Sequence, residues 1–254
     1  AKKNKVNGVM TLCSETSVPT VNLIAKTLKL PFHKTSTVIN STNKYFMKKN
    51  FLKYKIPTSN FFLVHSFFEL KKKIKKIKYP CVIKPLNLYG QKNVYKLSNS
   101  VDIKKRYFAC SKSGKKPIIL EKFIEGQEIN VVALIKNKKI KILSLSDRNT
   151  FRYGKSFGIA YEHCYPSSAS KNNLSKIKVI TKKFVKALNI SEAVIYPQFI
   201  VTNNSKIYTV EVAIRIPGGN MRELSMLASG IDPVRFEIAR TLGLKKSFLY
   251  SKIY

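Results

Sequence analysis

No apolar run in this 254-residue chain is long enough to cross a bilayer. The longest, Ile129 to Ile135, falls far short of the ~20 residues a spanning helix needs. Apolar residues recur instead with period two in some segments and period 3.6 in others, which prescribes short strands alternating with amphipathic helices. At 44% hydrophobic and 11% aromatic residues, the chain can bury a real core. No basic-then-apolar leader opens it, and Cys13, Cys81, Cys110 and Cys164 are scattered without a CxxC pair. Together with isolated His33, His65 and His163, that argues against a disulfide framework or zinc site. The expected compartment is a reducing cytoplasm, with no membrane partner.

Strands are expected at Val6–Leu12, Phe61–Val64, Cys81–Lys84, Val94–Leu97 and Ile118–Ile124. Helices are expected at Val18–Leu30 (ending before Pro31), Asn43–Tyr54 (closed by Ile56-Pro57), Phe67–Lys78 and Val101–Ser111. From Glu128 the strands lengthen. Ile129–Ile135 and Ile140–Leu145 flank a polar turn, and Val194–Val201 and Lys206–Ile214 flank Asn203-Asn204, so both pairs read as hairpins. Between them lie a polar segment, 147–170, and a helix whose apolar face is Leu174, Ile177, Ile180, Phe184 and Leu188. A last helical region, Arg222–Leu242, is interrupted near Gly230–Pro233. The expected division is a small unit at 58–125 and a larger one at 126–254, with the helical segment 38–57 packing on the larger.

The formal net charge of +35 invites a nucleic-acid reading. Only seven of the 48 basic residues are Arg, the side chain that reads guanine edges. The densest lysine run, 67–78, also has helical spacing, with Phe67, Leu70, Ile74 and Ile77 on one stripe and lysines over the rest. No specific nucleic-acid partner is expected.

Just 13 acidic residues are present, so their positions are informative. Glu121, Glu125 and Glu128 cluster at the exit of one strand. Glu211 lies inside another, in TVEVAIRIPGGN. Strict alternation puts Tyr208, Val210, Val212 and Ile214 on a packed face and Thr209, Glu211, Ala213 and Arg215 on the other. Gln198 shares a face with Glu211 if the hairpin connection holds two or four residues. A three-residue connection separates them unless a bulge compensates. Side by side, these two offer the oxygens that Mg²⁺ prefers, although an exposed face with a casual ion pair fits the spacing equally. Lys84, ending CVIKP, and Lys44, near a helix start, read either as phosphate contacts or as solvated lysines. The loop PLNLYGQKN has one glycine and is a poor phosphate cradle, and neither GxxxxGK[ST] nor GxGxxG occurs.

The order of TNKYFMKKNFLKYKIPTSNF, PCVIKPLNLYGQKNV, IILEKFIEGQEINV, YPQFIV and YTVEVAIRIPGG resembles the ATP-grasp superfamily, in particular its carbamoyl-phosphate-synthase-like carboxylate–amine ligases. The resemblance covers about residues 40–243. GVMTLCSETSVPTVNLIAKTLKLP looks like the last strand and helix of the α/β domain that precedes the grasp, making 1–37 a remnant of it.

The resemblance implies an α+β fold, two subdomains clasping ATP, and an enzyme that activates a carboxylate as an acyl phosphate and passes it to an amine. It implies Lys44, Lys84 and the loop residue Lys92 on phosphates, and Glu121, Lys122, Phe123 and Ile124 along the adenine. Glu128 falls on the ribose, Gln198 and Glu211 on Mg²⁺ (or Mn²⁺), Arg215 on the transferred phosphoryl, and Gly218 and Gly219 against the substrate. Arg148, Arg152, Arg222 and His163 fall in segments that either border the acceptor site, where they would hold an acidic group, or lie on the surface. Ala213 replaces an Asn common in relatives, and Lys92-Asn93 replaces a basic residue followed by Gly. A homodimer is compatible with this reading. The competing readings are a Mg-ATP-binding protein without ligase turnover and a basic polyanion-binding module.

Overall fold

The structure is a computed structural model and describes residues 1–151 and 158–244. Two antiparallel sheets organise it. The smaller has the order β1-β4-β2-β3, from β1 (Phe61–Val64), β2 (Cys81–Pro85), β3 (Tyr95–Leu97) and β4 (Ile118–Lys122). Alternation along β2 and β4 sends Cys81, Ile83, Ile118 and Leu120 into a core. They meet Leu70, Ile74 and Ile77 of α4 (Phe67–Ile77) and Tyr107 of α5 (Ile103–Cys110) there. The lysine-rich run is thus an amphipathic helix whose apolar stripe is buried.

The larger sheet has the order β7-β6-β5-β8-β9, from β5 (Gln127–Lys136), β6 (Lys139–Thr150), β7 (Ala160–Cys164), β8 (Ala193–Val201) and β9 (Ile207–Ala213). The β5–β6 hairpin turns on Asn137 and Lys138, both at positive φ, as a two-residue connection between right-twisted strands demands. One face of the sheet carries Ile129, Val131, Ala133 and Ile195. It packs on Met47 and Phe51 of α3 (Lys44–Lys53) and on Ile177, Ile180 and Phe184 of α6 (Lys171–Ala187). Part of the opposite face, through Val132, Leu134 and Val194, packs with α7 (Met221–Ser229) and α8 (Pro233–Thr241). The rest of that face looks across at the small sheet. No helix among the described residues is long and apolar enough to cross a membrane.

Four features depart from the sequence reading. Val6–Leu12 is not a strand; only Leu12 makes a bridge, parallel to Ile216, because no described strand lies alongside to complete a ladder. The helix α1 (Val18–Thr27) stops before Leu30, since Lys29 turns left-handed and Leu30 N–H bonds back to Ala25 O at 2.9 Å. A separate helix α2 (Thr35–Thr42), reaching ahead of the expected helical segment 38–57, forms from weak helix formers. Burial of Val38 stabilises it, and its Thr37 hydroxyl donates to Leu188 O at 2.6 Å, capping the end of α6. The segment 147–170, read only as polar, contains β7, an edge strand paired with β6.

Candidate functional site

The two sheets enclose a cleft of about 480 Å³. On the small-sheet wall, Glu121 stands opposite Val82, and Lys84 opposite Ile119, so strand parity alone brings Lys84 and Glu121 to the same, cleft-facing side. Their charges meet, Lys84 Nζ lying 2.8 Å from Glu121 Oε1. From α3, Lys48 Nζ reaches the other oxygen at 2.9 Å and also donates to Thr58 Oγ1 at 2.7 Å. Ser59 Oγ adds a hydrogen bond of 3.1 Å to the same carboxylate. Burial alone would push the Glu121 carboxyl up. The ammonium groups of Lys48 and Lys84 outweigh it and hold Glu121 at about 2. Lys84 is therefore buried and paired, not the solvated lysine that its spacing allowed.

Lys44, one turn before Lys48 on α3, is 5% exposed. Asn43 caps that helix, its side chain accepting from the N–H groups of Tyr45 and Phe46. The Lys44 ammonium donates to Leu88 O at 2.6 Å and lies 4.4 Å from the centre of the Tyr89 ring, and it has no carboxylate in ion-pair range among the described residues. Burial lowers its pKa, opposed by the field of Glu211. Three lysines against one carboxylate leave this wall with excess positive charge, which suits a polyanion.

Lys122, Phe123 and Ile124 continue the wall at the exit of β4. The Lys122 backbone N–H is already committed to Asn60 O at 2.9 Å. Lys92 is exposed and does not line the cleft. Its loop turns left-handed at Gly90, Gln91 and Asn93, and it is Gly90 and Gln91 that face inward.

The large-sheet wall carries Glu128, Gln198, Glu211 and Arg215. Glu128 receives Arg148 Nη1 at 2.5 Å and Thr150 Oγ1 at 3.2 Å, and Arg148 Nη2 also donates to Gly158 O at 2.8 Å. Gln198 pairs directly with Glu211. Neither side chain has a hydrogen bond or ion pair among the described residues, which leaves adjacent oxygens on the cleft. Those are donors of the hard kind a divalent cation takes. No group of three or more His, Cys, Asp or Glu side chains competes for a metal among the described residues. Strict alternation failed along β9. Val210 is bulged, so Tyr208 and Val210 line the cleft instead of joining the packed face with Val212 and Ile214. Arg215 donates from Nε to Glu15 Oε2 at 2.8 Å.

His163 lines the cleft beside Arg148, with Gly218 and Gly219 nearby, and burial draws its pKa down. Gly219 has φ +70°, a left-handed conformation that favours glycine. Arg222 is instead tied to Asp232 by two hydrogen bonds, of 3.0 and 2.6 Å, and does not line the cleft. Arg152 lies outside the described residues. Lys48 and Glu15 went unnoticed in the sequence. The i, i+4 spacing of Lys44 and Lys48 on one helix face was a usable signal for the first.

The ATP-grasp (A) domain of phosphoribosylglycinamide synthetase matches residues 42–218. The chain belongs to the ATP-grasp family. This ATP-grasp chain is 30% identical over 176 residues to the D-alanine–D-alanine ligase of Pelagibacter ubique, covering 64% of the chain and 55% of that relative. It is 27% identical over 177 residues to the carbamoyl phosphate synthase large chain of Caldanaerobacter subterraneus, covering 67% of the chain and 16% of that protein. Its fold matches the crystal structure of an L-amino acid ligase from Bacillus licheniformis with a TM-score of 0.78 at 23% identity, over 95% of this chain and 57% of that one. The ATP-grasp chain thus spans about half the length of the ligase relatives it matches.

Proposed function

We propose that this chain forms the nucleotide-binding part of a ligase that activates a small-molecule carboxylate with ATP and transfers it to an amine. The observation that carries the reading is the convergence of Lys44, Lys84, Glu128, Gln198, Glu211 and Arg215 on one cleft between two sheets. Residues 58–125 and those from 126 onward are read as the two jaws, with 38–57 as a helical base.

ATP, when bound, supplies the phosphoryl group that converts the carboxylate to an acyl phosphate, which the amine then opens with release of phosphate. A divalent metal, Mg²⁺ before Mn²⁺, adds neutralisation of phosphate charge when it is held by Gln198 and Glu211. Lys44 and Lys84 bind phosphate oxygens as point charges, and Glu121 keeps Lys84 in place. Lys122, Phe123 and Ile124 flank the base. Glu128 orients the ribose hydroxyls. Arg215 holds the transferring phosphoryl with a planar set of donors.

The test is ATP-dependent release of ADP and phosphate across a panel of acids and amines. Turnover that is lost in Lys84→Ala and Glu211→Ala supports the proposal. Saturable Mg-ATP binding with no turnover on any pair would leave a nucleotide-binding protein without ligase chemistry.

A further inference from the structure

Arg215 lines the cleft, and one of the two groups that fix its guanidinium comes from outside both jaws. Nε donates to Glu15 Oε2 at 2.8 Å and Nη1 to Ile216 O at 3.3 Å. Glu15 lies 200 residues away in the sequence, and its side chain is 3% exposed. The segment that carries it is pinned to the residues just beyond the end of β9. Cys13 N–H donates to Ile216 O at 3.1 Å, Cys13 Sγ lies 3.5 Å from Pro217 O, and Leu12 bridges Ile216. Residues 12–15 therefore buttress both Arg215 and the glycine pair that follows it.

A guanidinium held at both Nε and Nη1 keeps its remaining donors in a fixed plane. With Nε and Nη1 committed, Nη2 has no partner among the described residues. Glu15 is faced by Arg215, Glu211, Lys44 and Tyr89. Of these, only Arg215 makes an ion pair with it. A carboxylate kept this deep for one partner contributes little net stability, so its value lies in orientation.

We propose that Glu15 is a positioning residue that holds Arg215 with its Nη2 toward the transferring phosphoryl group. This rests on the phosphoryl role read for Arg215 above. Glu15 itself touches no reacting atom.

The experiment follows the Arg215 Nε–Hε resonance by ¹⁵N NMR in the full chain, assigned through its loss in Arg215→Lys, alongside calorimetric titration with Mg-ATP and Mg-ADP. In Glu15→Gln the resonance should move to the position of exposed arginines. Mg-ATP affinity should weaken about fivefold, with Mg-ADP affinity within about twofold of the parent. Glu15→Asp, which keeps the charge but shortens its reach, should fall between; if Glu15→Gln does not fold, it decides the question alone. An unmoved resonance and parental Mg-ATP affinity in a folded Glu15 variant overturn the proposal. Arg215→Ala separates the two levels. If it binds Mg-ATP as tightly as the parent, the phosphoryl reading has failed, and the proposal fails with it whatever the Glu15 variants show.

Discussion

Gln198 and Glu211 stand directly opposite each other on β8 and β9 because one extra residue, Val210, is inserted before Glu211. The connection from Val201 to Ile207 has odd length, which by strict alternation would pair Gln198 with Val210 and turn Glu211 to the other face. The bulge restores the match. Neither side chain has a partner among the described residues, so replacing either should change ligand binding and hardly touch stability. Glu211→Ala is expected to weaken Mg-ATP binding by more than about tenfold and to remove its dependence on Mg²⁺, with a smaller loss for Gln198→Ala. Calorimetry with and without Mg²⁺, beside thermal melting, checks both halves.

Glu121 sits between Lys48 and Lys84, and its neutralisation would leave two buried ammonium groups without a counter-charge. Glu121→Gln is expected to cost about 3–5 kcal/mol in urea unfolding at neutral pH. The pH dependence has a definite sign. The folded carboxyl is held at about 2, below the ordinary 4.5, so its contribution is complete above pH 4.5 and is lost as pH falls toward 2. Unfolding measured across that window should show the parent losing more stability than Glu121→Gln.

Lys44 behaves oppositely. It is a buried cation held by a carbonyl and an aromatic ring. Lys44→Met should leave the protein as stable as the parent or more so, while Mg-ATP affinity drops about tenfold or more. Melting temperature and calorimetry on the same sample separate a ligand contact from a structural one.

Gly126 marks the passage from the small sheet to the large one, and a Cβ there would come within 2.2 Å of Val201 O. The two nearest obstructing atoms are Val201 backbone, with the Ile200 side chain beside them, and backbone has no room to give. Gly126→Ala is expected to destabilise by about 3 kcal/mol or more, read from urea unfolding.

How far the sequence carried this account follows from which forces are local. The stripe Phe67, Leu70, Ile74 and Ile77 stated its helix outright, because periodicity is a property of neighbours along the chain. The apolar runs of β1, β2 and β4 were equally plain. What needed the fold was anything set by a distant partner. The helix α2 exists because Thr37 and Val38 are buried against other elements, against their own propensities. The edge strand β7 has exposed Tyr161 and Glu162, so no alternation announced it. In the site, parity placed Gln198 with Glu211 conditionally, and only the bulge at Val210 settles the condition. Lys48 looked like one more lysine among many until Glu121 came across to it. Glu15, in a segment read as the remnant of a preceding α/β domain, is joined to Arg215 by folding alone.

The most direct test of the central claim is calorimetric titration of the chain with Mg-ATP, repeated on Lys84→Ala and Glu211→Ala. The account requires saturable binding in the parent that weakens by more than about tenfold in each variant. Binding that is absent in the parent, or equally tight in all three, would contradict it.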